Sequence, residues 1–305
     1  MELDVKQLFN LLAIARLGSF SSAAKARKLS QPALSNSISQ LEKYVCAQLL
    51  SRGRYGARLT DAGRTLVRRA EIVETQMLRA REDLNSQKNG FEGPVVVGVT
   101  PVAAAHLVPR ALGRLQQESP KVLVSVVETV FHDAMASLLN GSLDLMVGPI
   151  GVYPPVEGVE EEALATDPFC VIARTGNPLA KHRRVSLRQL KDAPWVLPSE
   201  QSAYHHQLEA LFVVAGVRWP DARIATNSMT AMKAIVMNSD CVAIMPKQLI
   251  GLEHSAKLLV AVGLAESGAA RSLGLSWASD RVLPASAQRF AEIIRKTAHE
   301  RRFRV

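Results

Sequence analysis

The chain has 305 residues, 48% of them hydrophobic and 21% charged, an ordinary globular composition long enough for two or more domains. No stretch approaches the roughly 18–20 apolar residues of a membrane span. The start, MELDVKQLF, carries acids and lacks the basic end and apolar core of a signal peptide, so a cytoplasmic protein without membrane contact is expected. The net charge is +9, and residues 1–90 hold 15 Lys+Arg against 8 Asp+Glu. A basic excess confined to the first third points to a polyanion, with nucleic acid first, although a solvated surface is the plain alternative.

In chain order, Leu8, Leu11, Leu12 and Ala15 repeat at helical spacing and predict a helix near residues 4–17, stopped by Gly18. Ser19 or Ser21 can cap a short second helix to about Lys28, with Ala23 and Ala24 allowing close packing. Ser30 is the expected N-cap of a third helix, and Pro32 suits its first turn. There Leu34, Ile38, Leu41 and Val45 form one apolar stripe. Burying that stripe leaves Ser35, Asn36, Ser39, Gln40 and Lys43 on the opposite face, with Gln31 at the exposed start. Gly18 to Val45 holds seven serines, and serine is a mediocre helix former. Short hydroxyl and amide groups can approach base edges and phosphates closely, as a helix in a major groove requires. A merely soluble face is the competing reading, but such faces carry more full charges.

The segment SRGRYGARLTDAG, Ser51 to Gly63, suits a tight basic hairpin, a wing whose Arg52, Arg54 and Arg58 can reach phosphates or a minor groove. Thr60 reads as the N-cap of a fourth helix with Asp61 in its first turn. Ala62, Leu66, Ala70, Val73, Met77, Ala80 and Leu84 then run close to a heptad seam, which predicts a dimerisation helix or, failing that, packing within one chain. Asn85 to Pro94 is polar and contains glycine, as a linker would.

These residues carry a resemblance. Gly18-Ser19-Phe20-Ser21 with Ala23-Ala24, then Leu29 to Ser35, Ile38, Leu41-Glu42, Leu49 and Arg52, ending in Leu59 to Gly63, resemble the winged helix-turn-helix of LysR-type transcriptional regulators. The resemblance implies a regulator on double-stranded promoter DNA, a homodimer through the linker helix assembled into a homotetramer, and a small effector as switch. RNA polymerase is a further partner that such a regulator can contact. Positions matching Gln31, Pro32 and Ser35 lie against the groove in that family, and the wing arginine matching Arg52 approaches DNA. Ser30, Gln31, Pro32, Ser35, Asn36, Ser39, Arg52, Arg54 and Arg58 are therefore the expected DNA-contact residues. Three positions depart from the pattern: Asn36 stands where Arg or Lys is frequent, Cys46 where Gly is frequent, and Leu50 where Phe is common.

Beyond residue 91, short apolar runs alternate with helical patterns. Strands are expected at 94–100, 122–128, 143–148, 169–173, 195–198, 223–226, 242–246, 258–262 and 272–279. Helices are expected at 102–117, 131–140, 202–215, 229–238 and 284–301. The first βαβαβ order predicts a parallel sheet. The expected fold class is an N-terminal, mainly α winged helix-turn-helix (1–60) with a long linker helix (61–90), followed by an α/β effector domain of two Rossmann-like lobes (91–305). Lobe I covers about 91–165 and 270–305 and lobe II about 166–269, resembling periplasmic-binding-protein lobes. Such lobes bind ligand at the carboxyl ends of their strands. Thr100, Pro101, Val102, Thr129, Gly148, Pro149, Ser199, Gln201, Ser202, Thr226 and Asn227 stand at those ends. Each taken alone is equally a cap or turn residue. The free amides after Thr100 favour an anion, and within the family the positions matching Thr100, Thr129 and Ser199 to Ala203 commonly meet a carboxylate or similar polar effector.

Cys46, Cys170 and Cys241 are far apart and read as free thiols, with no metal-ligand spacing. His205-His206 read as surface histidines at a helix start, and His182-Arg183-Arg184 as a basic turn. Asn238 to Cys241 stands where the family often has a Gly-rich turn. No GxSxG, GxGxxG, P-loop or HExxH motif is found, so neither a cofactor nor an enzyme is expected. An architectural DNA-binding protein, or a crevice enzyme carrying a DNA-binding head, are the alternatives.

Overall fold

The computed structural model describes residues 3–53, 56–88, 92–200, 203–222, 224–266 and 271–300. They form two compact units, residues 1–94 with 136–143, and residues 95–135 with 144–305.

The first unit begins with three helices whose ends are written in local chemistry. α1 (Val5–Leu17) is capped by the Asp4 carboxylate, which accepts from the Lys6 amide, and ends at Gly18 in the left-handed conformation, φ 69°. α2 (Phe20–Arg27) starts on Ser19, whose hydroxyl accepts from the Ser22 amide. α3 (Gln31–Val45) starts on Ser30, which caps Ala33. Leu34, Ile38 and Leu41 are buried with Leu8, Leu11, Leu12, Ala23 and Ala24, and burying each leucine contributes about 1.5–3 kcal/mol. Cys46 ends α3 with φ 51°. It thus takes the left-handed geometry for which glycine is favoured, at some cost to an L residue.

β1 (Leu50–Gly53) and β2 (Gly56–Leu59) pair antiparallel, Leu50 opposite Leu59 and Ser51 opposite Arg58. Leu50 is buried, so its departure from Phe is absorbed by packing. The Glu42 carboxylate of α3 accepts from the Leu49 and Leu50 amides at 2.8 and 3.2 Å, which fastens the hairpin to α3. Thr60 Oγ1 donates to the Gln48 carbonyl at 2.6 Å and accepts from the Gly63 amide at 3.0 Å, starting α4 (Asp61–Lys88). α4 therefore runs through Asn85–Lys88, which the sequence suggested as linker. Its seam divides: Ala70 is buried in this unit, whereas Met77 and Leu84 are 55% and 60% exposed.

The second unit is built on two sheets. The first has the order β4-β3-β5-β13-β6, from β3 (Glu92–Val99), β4 (Val122–Glu128), β5 (Leu145–Ile150), β6 (Val159–Asp167) and β13 (Arg271–Ala278). β3 and β5 are parallel, but β13 is antiparallel to both β5 and β6. The second has the order β11-β7-β12-β8, from β7 (Phe169–Arg174), β8 (Arg184–Val185), β11 (Ala243–Pro246) and β12 (Leu259–Leu264). β7 is antiparallel to β11 and to β12. β9 (Val196–Pro198) and β10 (Ile224–Thr226) form a parallel pair, which a parallel bridge between Trp195 and Val242 joins to β11. Both sheets are thus mixed rather than parallel. β6 has no counterpart among the expected strands.

Around them lie α5 (Pro101–Ala105), α6 (Leu107–Glu118), α7 (Phe131–Asn140), α8 (Ala203–Val214), α9 (Met229–Met237), α10 (Gly251–Ser255) and α11 (Ala285–His299). The single helix expected over 102–117 is broken at His106, where φ −144° and ψ −59° leave the helical region. α11 and α6 close one core around Phe290, Ile294, Leu107 and Leu115, and Arg114 pairs with Glu300 beside it. Phe212, Trp195, Leu208 and Ile244 centre the other. The turn Asn238 to Cys241 has no residue of positive φ, so it needs no glycine. Arg174 Nη2 pairs with Asp240 at 2.7 Å, and the Asp240 carbonyl accepts from Asn177.

Gly63 lets α4 begin against the hairpin. An added Cβ would lie 2.1 Å from the Leu49 carbonyl oxygen, and that oxygen is fixed by accepting from the Thr60 amide. Gly63→Ala is expected to destabilise the first unit by about 1–3 kcal/mol, read as a lowered thermal midpoint, with the second unit's transition unmoved.

Candidate functional site

Two surfaces carry functional chemistry, one in each unit. On the first, α3 is held by its buried stripe, and Gln31, Pro32, Asn36, Ser39, Gln40 and Lys43 are exposed, with Ser35 half-buried. The Ser30 hydroxyl is spent on the cap, 3.3 Å from the Ala33 amide. Gln40 accepts from Gln7 of α1 at 3.2 Å, so it braces the helix as well as facing outward. Arg58 is exposed on β2, and Arg52 stands in β1 opposite Ala57. Arg54 lies outside the described residues.

In the second unit a cleft of about 1150 Å³ opens where strands end and helices begin. Thr100, Pro101 and Val102 line it from the β3–α5 junction, Thr129 from beyond β4, and Gly148 and Pro149 from β5. Ser199 follows β9, and Thr226 and Asn227 close β10. Nine of the expected effector residues are thereby brought together, while Gln201 and Ser202 lie outside the described residues. Gly148 and Pro149 are strand residues rather than a turn, paired with Gly274 and Leu273 of β13. α5 is only five residues long, too short for the anion-favouring dipole expected from a single long helix.

What the sequence did not single out is the apolar part of the wall. Phe131 and Tyr153 stack with centroids 4.0 Å apart and planes 23° apart, beside His132. Met135, Met146 and Met229 add flexible apolar surface. Burial raises the Tyr153 phenol above its usual range, which keeps it a hydrogen-bond donor at neutral pH. His206 lines the cleft. His205, expected on the surface, is buried instead: its ring lies 4.6 Å from that of Trp219 and its Nδ1 is 3.3 Å from the Pro198 carbonyl. Trp219 folding back over α8 is a tertiary contact that no local pattern announces.

Two features set the cleft's electrostatics and a third its shape. Its described lining holds no Lys, Arg, Asp or Glu. Thr100 Oγ1 is buried without a hydrogen-bond partner among the described residues, although Thr100 occupies the N-cap position of α5. Gly148 packs so closely that an added Cβ would lie 2.9 Å from Thr100 Cγ2. The basic turn His182 to Arg184 stands at and before edge strand β8 and is not among the residues lining the cleft. Burial, with Asp167 nearby, pushes the Cys170 thiol up to about 12, so Cys170 is an unreactive core residue. Among the described residues no group of His, Cys, Asp and Glu can hold a metal ion, and no helix is long and apolar enough to cross a membrane.

Residues 5–64 match the bacterial regulatory helix-turn-helix protein, lysR family, and residues 88–299 match the LysR substrate binding domain. The chain belongs to the LysR family of transcriptional regulators. It is 31% identical over 262 residues to the SDS degradation transcriptional activation protein of Pseudomonas sp., covering 86% of this chain and 85% of that one. It is 27% identical over 294 residues to the HTH-type transcriptional regulator YdcI of Escherichia coli, 96% and 95% of the two chains. Its fold matches crystal structures of CbnR, a LysR family transcriptional regulator, free (TM-score 0.68, 18% identity, 98% of this chain and 100% of that one) and complexed with target DNA (0.68, 19%, 97% and 100%). A LysR regulator is a DNA-binding protein with a substrate-binding domain, so the two surfaces fall one in each part.

In this LysR regulator Gly148→Ala is expected to drive a methyl into Thr100 and close that corner of the cleft. A ligand that raises the melting temperature of the unaltered protein should lose at least about tenfold in affinity, while DNA affinity without ligand stays within about twofold.

Proposed function

We propose that this LysR regulator reads promoter DNA through α3 and its hairpin and is switched by a small monoanion with an apolar body, bound in the cleft of the second unit. For the DNA contact the support is the sidedness of α3: leucines and isoleucine inside, short amides and hydroxyls outside. Gln31, Ser35, Asn36 and Ser39 read base edges, while Ser30 and Pro32 hold the helix start close to the backbone. An amide at Asn36 suits adenine, where a guanidinium would suit guanine. Arg52, Arg54 and Arg58 take phosphates or the minor groove.

For the effector, the carrying observation is the pairing of an orphaned hydroxyl, Thr100 Oγ1, with a wall of Phe131, Tyr153 and methionines. A ligand oxygen accepting from Thr100 removes the cost of that buried donor, about 1–3 kcal/mol. Thr129, Ser199, Thr226 and Asn227 give further neutral partners for a carboxylate. A ligand with two or three charges would be desolvated opposite no fixed cation in the described lining, which opposes a polyanion.

For assembly, Met77, Leu78 and Leu84 expose apolar surface on α4, and Leu123, Val126 and Val127 do so on β4, the edge strand of its sheet. Two independent self-complementary surfaces are what closing a homotetramer from two homodimers requires. The surroundings that fit this protein are cytoplasmic, with RNA polymerase within reach of the bound regulator. Effector binding shifts the population between arrangements of the assembly, and it must bind them with different affinities to do so.

Gln31→Ala and Ser35→Ala are expected to lose operator preference, by about 1–3 kcal/mol each, with helicity and oligomer size intact; unchanged footprints in both would refute the assignment. Thr100→Ala is expected to keep its footprint while the footprint's response to the effector disappears. A panel of mono- and dicarboxylates, scored by thermal shift on the full chain, supplies the probe, and stabilisation by dicarboxylates alone would remove the monoanion reading.

A further inference from the structure

The helix-turn-helix contains a buried polar contact that its apolar packing does not require. Asn10 is 4% exposed in α1, where the other buried residues are Leu8, Leu11, Leu12 and Ile14. Its Nδ2 donates to Ser37 Oγ of α3 at 2.9 Å, and its Oδ1 accepts from Arg27 Nε at the end of α2 at 3.0 Å. Arginine can only donate, so it fixes which end of the amide is oxygen and leaves the NH₂ for Ser37. The Arg27 guanidinium lies 5.8 Å from the centroid of the Phe9 ring, which holds the donor in place. One turn along both helices, Gln7 Nε2 reaches Gln40 Oε1. A single side chain therefore ties together α1, α2 and α3.

We propose that Asn10 is a positioning residue for DNA specificity: its bridge from Arg27 to Ser37 sets the rotation of α3 about its own axis. Leu34, Ile38 and Leu41 decide which side of α3 is buried, but apolar contact is non-directional and tolerates small rotations. A hydrogen bond does not, because it weakens steeply off its axis. With side-chain tips about 5–6 Å from a helix axis, a turn of roughly 20° moves Asn36 or Ser35 by about 2 Å. That displacement exceeds what a hydrogen bond to a base edge accepts. Ser37 lies next to Asn36 in the chain and one turn from Gln40, so the bridge holds α3 at the flank of its reading face. The bridge contributes little net stability, and replacing Asn10 alone leaves the half-buried Arg27 and Ser37 to find water instead, at a modest cost. The sequence placed a polar amide where leucine would pack, and geometry is what it gains.

This inference rests on α3 being the DNA-reading helix. The test uses the full chain, a duplex selected from a random pool by the unaltered protein, and a scrambled duplex of equal composition. Asn10→Leu is expected to stay folded with a modestly lowered melting temperature, to bind the scrambled duplex within about twofold, and to lose about tenfold in preference for the selected one. Ser37→Ala should lose part of the same preference, and should add nothing in an Asn10→Ala background. A preserved preference in Asn10→Leu overturns the proposal. So does a parallel loss on both duplexes, which marks Asn10 as support for the fold alone. Should Asn10→Ala not fold, the Leu and Ser37 variants decide. An unaltered chain that selects no duplex would instead sink the DNA-reading assignment itself.

Discussion

The apolar stripe of α3 is the constraint on which the DNA-reading unit depends. Leu34, Ile38 and Leu41 have nowhere to go but against α1 and α2, and once they are inside, the opposite face is committed to solvent or a ligand. The hairpin and the start of α4 are referenced to that helix. Glu42, on its last turn, takes the Leu49 and Leu50 amides, so the hairpin hangs from α3. The Leu49 carbonyl in turn accepts from the Thr60 amide, and Thr60 starts α4. α3, hairpin and long helix thus form one hydrogen-bonded succession, in which a shift of α3 would be passed on through Glu42 and Thr60.

The same logic explains why α4 carries two kinds of surface. Its first turns belong to the core of its own unit through Val67 and Ala70. Further along, Met77 and Leu84 continue the seam 55% and 60% exposed, and Leu78 beside them is 55% exposed. A helix that buried the whole seam at home would be a core helix, and one that buried none of it would not be held at a fixed angle to the reading face. The division leaves an anchored start and an exposed apolar length, the surface proposed above for a second copy.

Legibility in the sequence followed the range of the interactions concerned. The caps at Ser19, Ser30 and Thr60 and the stop at Gly18 act within four residues, and the first three helices stand within a residue or two of where their patterns place them. The strand ends that gather Thr100, Thr129, Gly148, Ser199 and Thr226 were legible for the same reason. Strand direction was not. Whether β13 runs with or against β5 is decided by pairing over more than a hundred residues, and no local signal carries it. β6 was missed because it is an edge strand whose Glu160, Glu161 and Glu162 break the apolar run, which is how edges are kept from pairing further. The break at His106 has a signature that the apolar pattern hid: Pro109 has no N–H to donate to the Ala105 carbonyl four residues earlier, and its ring crowds that carbonyl.

The cleft shows how neutral groups can build selectivity. With no Lys or Arg in its described lining, it lacks the strong pairing that would hold any small anion indiscriminately, a common buffer ion included. On the monoanion reading proposed above, affinity comes from shape and from the apolar wall of Phe131, Tyr153 and the methionines, with Thr100 and its neighbours facing one polar head. Such a site discriminates by what the rest of the ligand looks like, because burying the body supplies the free energy that the head does not. The stacked pair reaches the cleft from the start of α7 and from the loop after β5, two segments adjoining the strands that carry Thr129 and Gly148. A ligand that displaced Tyr153 from Phe131 would move both segments at once. The apolar wall thereby adjoins the strand ends that carry the polar groups, so on the proposed reading one ligand would touch both.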